Sequence, residues 1–390
     1  MKGSVRRKRK NAWSYRIDLG TVDGKRRQVE KGGFKTEREA TKAMQDVIYH
    51  LNNTGDYVEN KKISFDTIYK EFMEREGKAT RAYATLKRYD SIYRNHIKEE
   101  FGSLYVYQIS DTMIVDFLNQ KRLKYSEEYV KGFYKFFNVT LCYAHKRKYT
   151  KKNVMDLVPP PPDPRHLGDI ETYTHEELAR MIERIESTRS KIAFQIGLQA
   201  GLRESECFAL TWEDIDFENK KIKVCKQLLY QDKKWCLAPL KTRNSYRSVN
   251  ITAEFAQYLA DMKTQHEAEH KMYGDGYKRN FVTDRREPKK EKLIEVPDFI
   301  NVKANGEMLT TNGAKFLARV IKQDLGIHFK FHNLRHTYAT VLAENGLNPR
   351  YVQEMLGHSK LEFTLRYYTH ITEKMSSAAE NALTSTFCFG

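Results

Sequence analysis

Ala200-Gly201-Leu202-Arg203-Glu204-Ser205-Glu206 is the stretch on which the reading of this 390-residue chain turns. It places Arg203 beside a glycine turn between two helical segments, with two carboxylates close behind. Further along, Phe331-His332-Asn333-Leu334-Arg335-His336 sets His332 and Arg335 three apart, on one helical face. Leu356-Gly357-His358-Ser359 ends a helix at glycine and presents a histidine just beyond it, and Arg366-Tyr367-Tyr368-Thr369-His370 follows closely. Singly these are weak signals, because an Arg–Glu pair is commonly structural and so is a lone histidine. In this order they specify a site able to bind and cut a phosphodiester.

The chemistry explains the residue types. A phosphoryl-transfer transition state carries excess negative charge on its non-bridging oxygens, which two guanidiniums can hold with permanently charged, bidentate donors. A tyrosine can attack as a nucleophile whose phosphate ester conserves the bond energy, so that a strand can be resealed without a cofactor. The alkoxide leaving group needs an acid, which a lysine can supply. Arginines that already neutralise the charge leave no requirement for a metal.

Composition points the same way. Lys and Arg number 68 against 51 Asp and Glu, a net charge of +17, and the pI near 9.4 favours a polyanionic partner such as nucleic acid. A mean hydropathy of −0.71 and the lack of any run near the ~18 apolar residues of a spanning helix argue against a membrane protein. The basic start, Met1 to Lys10, lacks the apolar core of a secretory signal. Five scattered cysteines without a Cys-x-x-Cys argue for a reducing compartment and against a cysteine zinc site. The expected location is the cytoplasm, at the nucleoid when bound to DNA.

Five of nine prolines cluster at Pro159 to Pro162 and Pro164, a stiff run that cannot continue a helix. It predicts a linker over 158–168, dividing the chain. Ahead of it, Trp13, Tyr15, Ile17 and Leu19 alternate with polar residues as in a half-buried strand. Asp23-Gly24 predicts a hairpin turn into a return strand over 25–29, Gly32-Gly33 the end of this small sheet, and Thr36 with Glu39 a capping box opening a helix. Ten Lys or Arg fall in residues 1–27 against Asp18 and Asp23, a surplus of eight that suits strands laid in a DNA groove. Residues 62–157 read as all-helical, with aromatic faces (Phe65, Tyr69, Phe72; Phe133, Phe136, Phe137) at core spacing rather than as base-stacking platforms. Beyond the linker, Thr174 and Glu177 form a second capping box, and strand-like segments at 221–224, 227–230 and 245–251 predict hairpins. Helices are expected around 252–270, 312–324, 332–345 and 349–356. The expected fold is thus multidomain: a small β-sheet plus helix over 1–57, an all-α region over 62–157, and a mainly α domain with a small antiparallel sheet over 169–390.

One motif is set aside. His266-Glu267-Ala268-Glu269-His270 has the H-E-x-x-H spacing of zinc proteases, but its flanks are too polar for a helix beneath an active site, and no third histidine follows at the expected spacing. It reads as a solvated helix end, and no metal site is expected.

The combination of A-G-L-R-x-S-E, H-x-L-R-H-T, L-G-H-S and Y-T-H resembles the tyrosine recombinase (phage integrase) family. The front end is similar to the arm-binding domain, and the middle helices to the core-binding domain, of integrases from conjugative transposons and Gram-positive phages. The resemblance implies the DNA breaking-rejoining fold, with Arg203 and Arg335 as the phosphate clamp, His332 assisting proton transfer, His358 bonding the phosphate and Glu206 orienting the site. It places a general-acid lysine in a β-hairpin turn after the first arginine. Lys241 in Pro239-Leu240-Lys241-Thr242-Arg243-Asn244-Ser245 fits, with Lys234 and Lys226 as fallbacks. The nucleophile is Tyr368 by its Tyr-Thr-His context, with Tyr367 as the alternative.

The family further implies a covalent 3′-phosphotyrosyl intermediate, integration and excision of a mobile element, and four protomers acting on double-stranded DNA at core and arm sites. An excisionase and a host DNA-bending protein are the accessory partners it allows. The tail after Thr372, with Met375, Ala378, Ala379, Ala382 and Leu383, is either a terminal helix on its own domain or a handle for a neighbouring protomer. Rival readings are a type IB topoisomerase-like enzyme and a catalytically inactive DNA-binding regulator.

Overall fold

The computed structural model describes residues 3–9, 12–22, 25–54, 61–162, 170–287 and 290–368, with residues 380 and 384; the Asp23-Gly24 turn and nearly all of the tail lie outside them. The chain forms two compact units, Met1–Leu167 and Gly168–Gly390. No helix among the described residues is long and apolar enough to cross a membrane.

The first unit opens with strands β1 (Gly3–Arg9), β2 (Ala12–Val22) and β3 (Lys25–Phe34) in an antiparallel sheet of that order, followed by helix α1 (Glu37–Thr54). Tyr15 and Ile17 on one face of β2 pack with Val47 of the helix. Gly32-Gly33 does not end the sheet as expected. Trp13 pairs with Phe34 and Ser14 with Gly32, so Gly33, at φ 98°, is the extra residue of a bulge and β3 runs on to Phe34. Thr36 caps α1 by accepting from the Glu39 N–H at 3.2 Å.

The helical part of this unit contains α2 (Phe65–Phe72), α3 (Tyr83–Ile92), α4 (Asp111–Arg122) and α5 (Glu127–Lys146). Helices α2 and α3 each run on into a π-helical turn, at Met73–Gly77 and Tyr93–Ile97. Their aromatic faces form one core: Phe65, Phe72, Phe133, Phe136 and Phe137 are all fully buried, as the helical spacing requires.

In the second unit, α6 (His175–Ile185) starts at the expected capping box, with Thr174 and Glu177 exchanging bonds of 3.2 and 2.9 Å. Helix α7 (Lys191–Ala200) and the single turn α8 (Glu204–Cys207) follow. Next come β4 (Ile215–Asp216), β5 (Lys221–Val224), β6 (Gln227–Gln231), β7 (Lys234–Ala238) and β8 (Arg247–Asn250). Because β5 pairs with β8 and β6 with β7, residues 221–250 form one long hairpin, interrupted where Cys225-Lys226 opposes the connection 239–246. Helix α9 (Ala253–Tyr273) leads to β9 (Phe281–Asp284) and β10 (Lys292–Glu295), which extend the β6–β7 sheet in the order β10-β9-β7-β6. The unit continues through α10 (Asn312–Leu325), α11 (Phe331–Glu344), α12 (Pro349–Leu356) and α13 (Leu361–Leu365). Strands β7, β9 and β10 were not expected, because their inward Leu237, Val282 and Ile294 are too few and too interrupted to show alternation.

Within α9, His266 and Glu269 are buried rather than solvated, which corrects the reading of a solvated helix end. His266 stands edge-on to Trp212 with ring centres 5.5 Å apart, and Glu269 pairs with Arg189 at 2.7 Å. His270 lies against Tyr277. The polar flanks conceal this because only one face of a 21-residue helix is buried.

Candidate active site

Helix α7 stops at Gly201, whose left-handed φ of 61° and proximity to Tyr338 (2.4 Å from a would-be Cβ) both demand glycine. The turn delivers Arg203 to the N-cap of α8. Its backbone N–H donates to Glu206 Oε2 at 3.0 Å, its Nη1 to Oε1 at 2.6 Å, and its Nη2 to the Gly357 carbonyl at 3.3 Å. Glu206 is 1% exposed and also accepts from Arg247 Nη2 at 2.9 Å. Arg335, on α11 and 1% exposed, donates to the carbonyls of Gly201 (2.8 Å) and Leu356. One carboxylate therefore lies among three guanidiniums.

Burial alone would raise the Glu206 carboxyl, yet Arg247, Arg203 and Arg335 together hold it below the usual range. Burial, reinforced by the Arg203 and Arg247 charges, pushes Arg335 down to about 9, still protonated at neutral pH. The cluster keeps a surplus of positive charge for an anion to neutralise.

The histidines gather around it. His332 remains open to solvent at the start of α11. Enclosure by neighbouring groups lowers its imidazole, as do Arg335 and Arg203. His336 stands edge-on to it, ring centres 4.5 Å apart, and is driven to about 4 by burial and then by His332 and Arg335. His358 follows Gly357, whose φ of 65° closes α12, and Gly357 also packs closely against the Asn244 carbonyl. Burial and the arginines push His358 to about 3, and its Nδ1 lies 3.0 Å from Thr364 Oγ1. His336 and His358, depressed this far, are neutral at pH 7.

Lys241 lies exposed on the 239–246 connection rather than in the hairpin turn. It lines a cleft of about 320 Å3 together with Arg203, Glu206, Gln227 and His358. Of the two fallback lysines, Lys234 starts β7 at the far end of the hairpin. Lys226 is buried and bonded to Thr211 Oγ1 (2.9 Å) and Asp214.

The tyrosines diverge. Tyr367 is buried with its hydroxyl 2.7 Å from His336 Nδ1. Burial raises it, while Arg335 and Arg366 act against that rise. The Tyr368 hydroxyl donates to the Leu347 carbonyl at 2.5 Å, and burial raises it.

A model of the phage integrase family matches residues 171–375, more than half of the chain and all of this cluster. The chain belongs to that family.

Two further models match the front of this integrase-family chain, an arm DNA-binding domain over 4–51 and a phage integrase N-terminal SAM-like domain over 64–122. A tyrosine recombinase XerC-like protein of Caldanaerobacter subterraneus is 28% identical over 380 residues, covering 90% of each chain. The transposase of transposon Tn916 from Enterococcus faecalis is 31% identical over 208 residues, 52% of this chain and 47% of that one. Among solved structures, the Tn1549 transposon integrase in complex with transposon right end DNA matches with a TM-score of 0.66 at 20% identity, covering 83% of this chain and all of that one. A lambda integrase tetramer bound to a Holliday junction matches with a TM-score of 0.54 at 14% identity, over 93% and 94%. The protein is a tyrosine-type site-specific recombinase of the integrase kind, an enzyme of DNA cleavage and rejoining.

In this recombinase the structure brings Arg203, Glu206, Lys241 and His358 around one cleft, sets Arg335 and His332 beside the same arginine cluster, and adds two residues not expected from the sequence. Arg247 was legible only as a charged residue sharing the inward face of β8 with buried Val249. His336 sat inside a quoted motif, but adjacency to Arg335 does not reveal that its ring meets Tyr367.

Proposed function

We propose that this recombinase integrates and excises a mobile element through a covalent 3′-phosphotyrosyl intermediate formed at the Arg203–Glu206–Arg335 cluster. The observation that carries the reading is the single buried carboxylate among three guanidiniums beside an open polar cleft. Such an arrangement is electrostatically incomplete until a phosphate enters. Arg203 and Arg335 hold the non-bridging oxygens; Glu206, itself bonded by Arg247, fixes Arg203, the Gly201 and Leu356 carbonyls fix Arg335, and His332 and His358 bond the phosphate or relay its proton. Lys241, which lines the cleft, protonates the 5′ oxygen as it leaves.

Residues 1–57, 62–157 and 169–390 serve as arm-binding, core-binding and catalytic domains, joined by the 158–168 linker. Engagement of two DNA sites by one chain raises effective affinity without new core contacts. The names of the matched structures, an integrase on transposon-end DNA and a tetramer on a four-way junction, support double-stranded DNA as substrate and four protomers as the working assembly. An excisionase and a host DNA-bending protein fit the same scheme as accessory partners.

Tyr368 in its Tyr-Thr-His context is the proposed nucleophile. It attacks after leaving the Leu347 carbonyl, a step that one hydrogen bond opposes by only about 1 kcal/mol. The placement of Tyr367 favours a second reading in which that hydroxyl, already facing His336 and Arg335, attacks instead. A nicked suicide substrate decides between them. Tyr368→Phe is expected to abolish the covalent adduct and Tyr367→Phe to retain it. The reverse pattern assigns the chemistry to Tyr367, and an adduct surviving in both variants refutes the mechanism.

A further inference from the structure

Lys241 is exposed, and among the described residues no hydrogen bond holds its ammonium. Its position is therefore inherited from the backbone of the 239–246 connection. Within that connection Thr242 and Ser245 are bonded through their hydroxyls at 2.9 Å, and the Leu240 N–H donates to Tyr246 Oη at 3.3 Å. Both contacts shape the loop without tying it to the phosphate clamp.

Two side chains make that tie: Arg247, which bonds Glu206, donates from Nη1 to the Ser245 carbonyl at 3.1 Å, and the end nearer Lys241 is held by Gln227. Its Nε2 donates to the Pro239 carbonyl at 2.7 Å, two residues before Lys241, and its Oε1 accepts from Ser205 Oγ at 3.2 Å. The Pro239 carbonyl can only accept, which fixes the orientation of the amide. Ser205 lies on α8 between Glu204 and Glu206, so one side chain links the lysine loop to the turn that presents Arg203. Gln227 is itself held firmly. It opens β6 directly after Lys226, which is buried against Asp214 and Thr211 where the long hairpin is interrupted.

We propose that Gln227 is a positioning residue for proton delivery, holding the Lys241 loop in register with Arg203 so that the ammonium meets the departing 5′ oxygen. This rests on the reading of Lys241 as the proton donor. In the step concerned, the tyrosine hydroxyl gives up its proton to solvent by way of a neutral histidine of the cluster as its oxygen bonds to phosphorus and the P–O5′ bond breaks. The 5′ oxygen takes a proton from Lys241 to become a hydroxyl, and the neutral amine recovers its proton from water. A donor must lie within hydrogen-bond reach of its acceptor, and small misplacements are costly.

The test uses the full chain and two nicked suicide substrates, one with the normal 5′ oxygen and one with sulfur bridging at that position. A thiolate leaves without being protonated, so the sulfur substrate bypasses the acid. Single-turnover adduct formation is measured with DNA saturating. Lys241→Ala is expected to be slow on oxygen and restored on sulfur. Gln227→Leu, which keeps volume but forms neither bond, is expected to be slowed roughly tenfold on oxygen and to match the parent within about twofold on sulfur. Gln227→Glu keeps the acceptor for Ser205 but turns an oxygen toward the Pro239 carbonyl. It provides the same comparison in a differently packed variant and is expected to behave alike. Equal slowing on both substrates, or no slowing, while Lys241→Ala is rescued overturns the role of Gln227. A Lys241→Ala variant that sulfur does not rescue overturns the Lys241 assignment and the inference built on it.

Discussion

Tyrosines occupy two opposite electrostatic settings in this molecule. In the helical part of the first unit, Tyr69 donates to Asp90 at 2.6 Å, Tyr93 to Asp66 at 2.8 Å, and Tyr143 and Tyr149 both to Glu71. Burial and those carboxylates all push the phenols upward, so each stays protonated and serves packing. In the second unit, burial also raises Tyr367, but its charged neighbours are Arg335 and Arg366, which pull the other way. The first setting is satisfied internally. The second keeps unspent positive charge, and the sign of the neighbouring groups separates a scaffold from a reaction site.

The sharpest way to break this contrast is to remove the one negative group in the cluster. Glu206→Gln leaves three guanidiniums facing one another in a buried site and is expected to cost about 3–5 kcal/mol of stability, read by denaturant unfolding. An unchanged midpoint would show that the arginines do not need their carboxylate. Arg335→Lys retains the charge but loses the two-pronged grip on the Gly201 and Leu356 carbonyls. Cleavage is expected to fall about 10²–10³-fold in single-turnover assays, with DNA affinity little altered.

A pH series sharpens the comparison further. His336 and His358 are depressed to about 4 and about 3, so the unfolded chain binds protons first as the pH falls below 6.5. Stability present above 6.5 is then lost progressively toward those folded values. Melting of the full chain should drop by roughly 2–4 °C between pH 6.5 and 5, and Asn at position 336 should flatten part of that slope. A slope that steepens in the variant would contradict the assignment. The smallest effect belongs to the scaffold. Tyr69→Phe removes one hydrogen bond, costing about 1 kcal/mol in unfolding experiments and leaving adduct formation intact.

The legible parts of the site were local. The turn at Gly201, the three-residue step from His332 to Arg335 and the helix end at Gly357 are each written within seven residues, so spacing and glycine chemistry expose them. Lys241 was expected in a hairpin turn but lies on the connection where the long hairpin opens, a difference of pairing that local composition does not reveal. Arg247 and Gln227 were invisible. Their partners, Glu206, Ser205 and Pro239, are between 12 and 41 residues away, and no periodicity marks a pairing across that distance. Burial of His266 was hidden for the same reason, since Trp212 and not a neighbour on its own helix covers it.

The sequence by itself determined that the chain carries excess positive charge, a basic front end, a proline break, aromatic helical faces and an ordered set of arginine, histidine and tyrosine motifs. These follow from composition, backbone chemistry and periods of two and 3.6 residues, all of which act over short range. Only the tertiary structure decided that one carboxylate sits among three guanidiniums, that Lys241 hangs from a loop tied to Ser205 through Gln227, and which of two adjacent phenols faces the cluster. Those outcomes depend on groups brought together by packing of the hydrophobic core, in a buried setting where charges act strongly on one another.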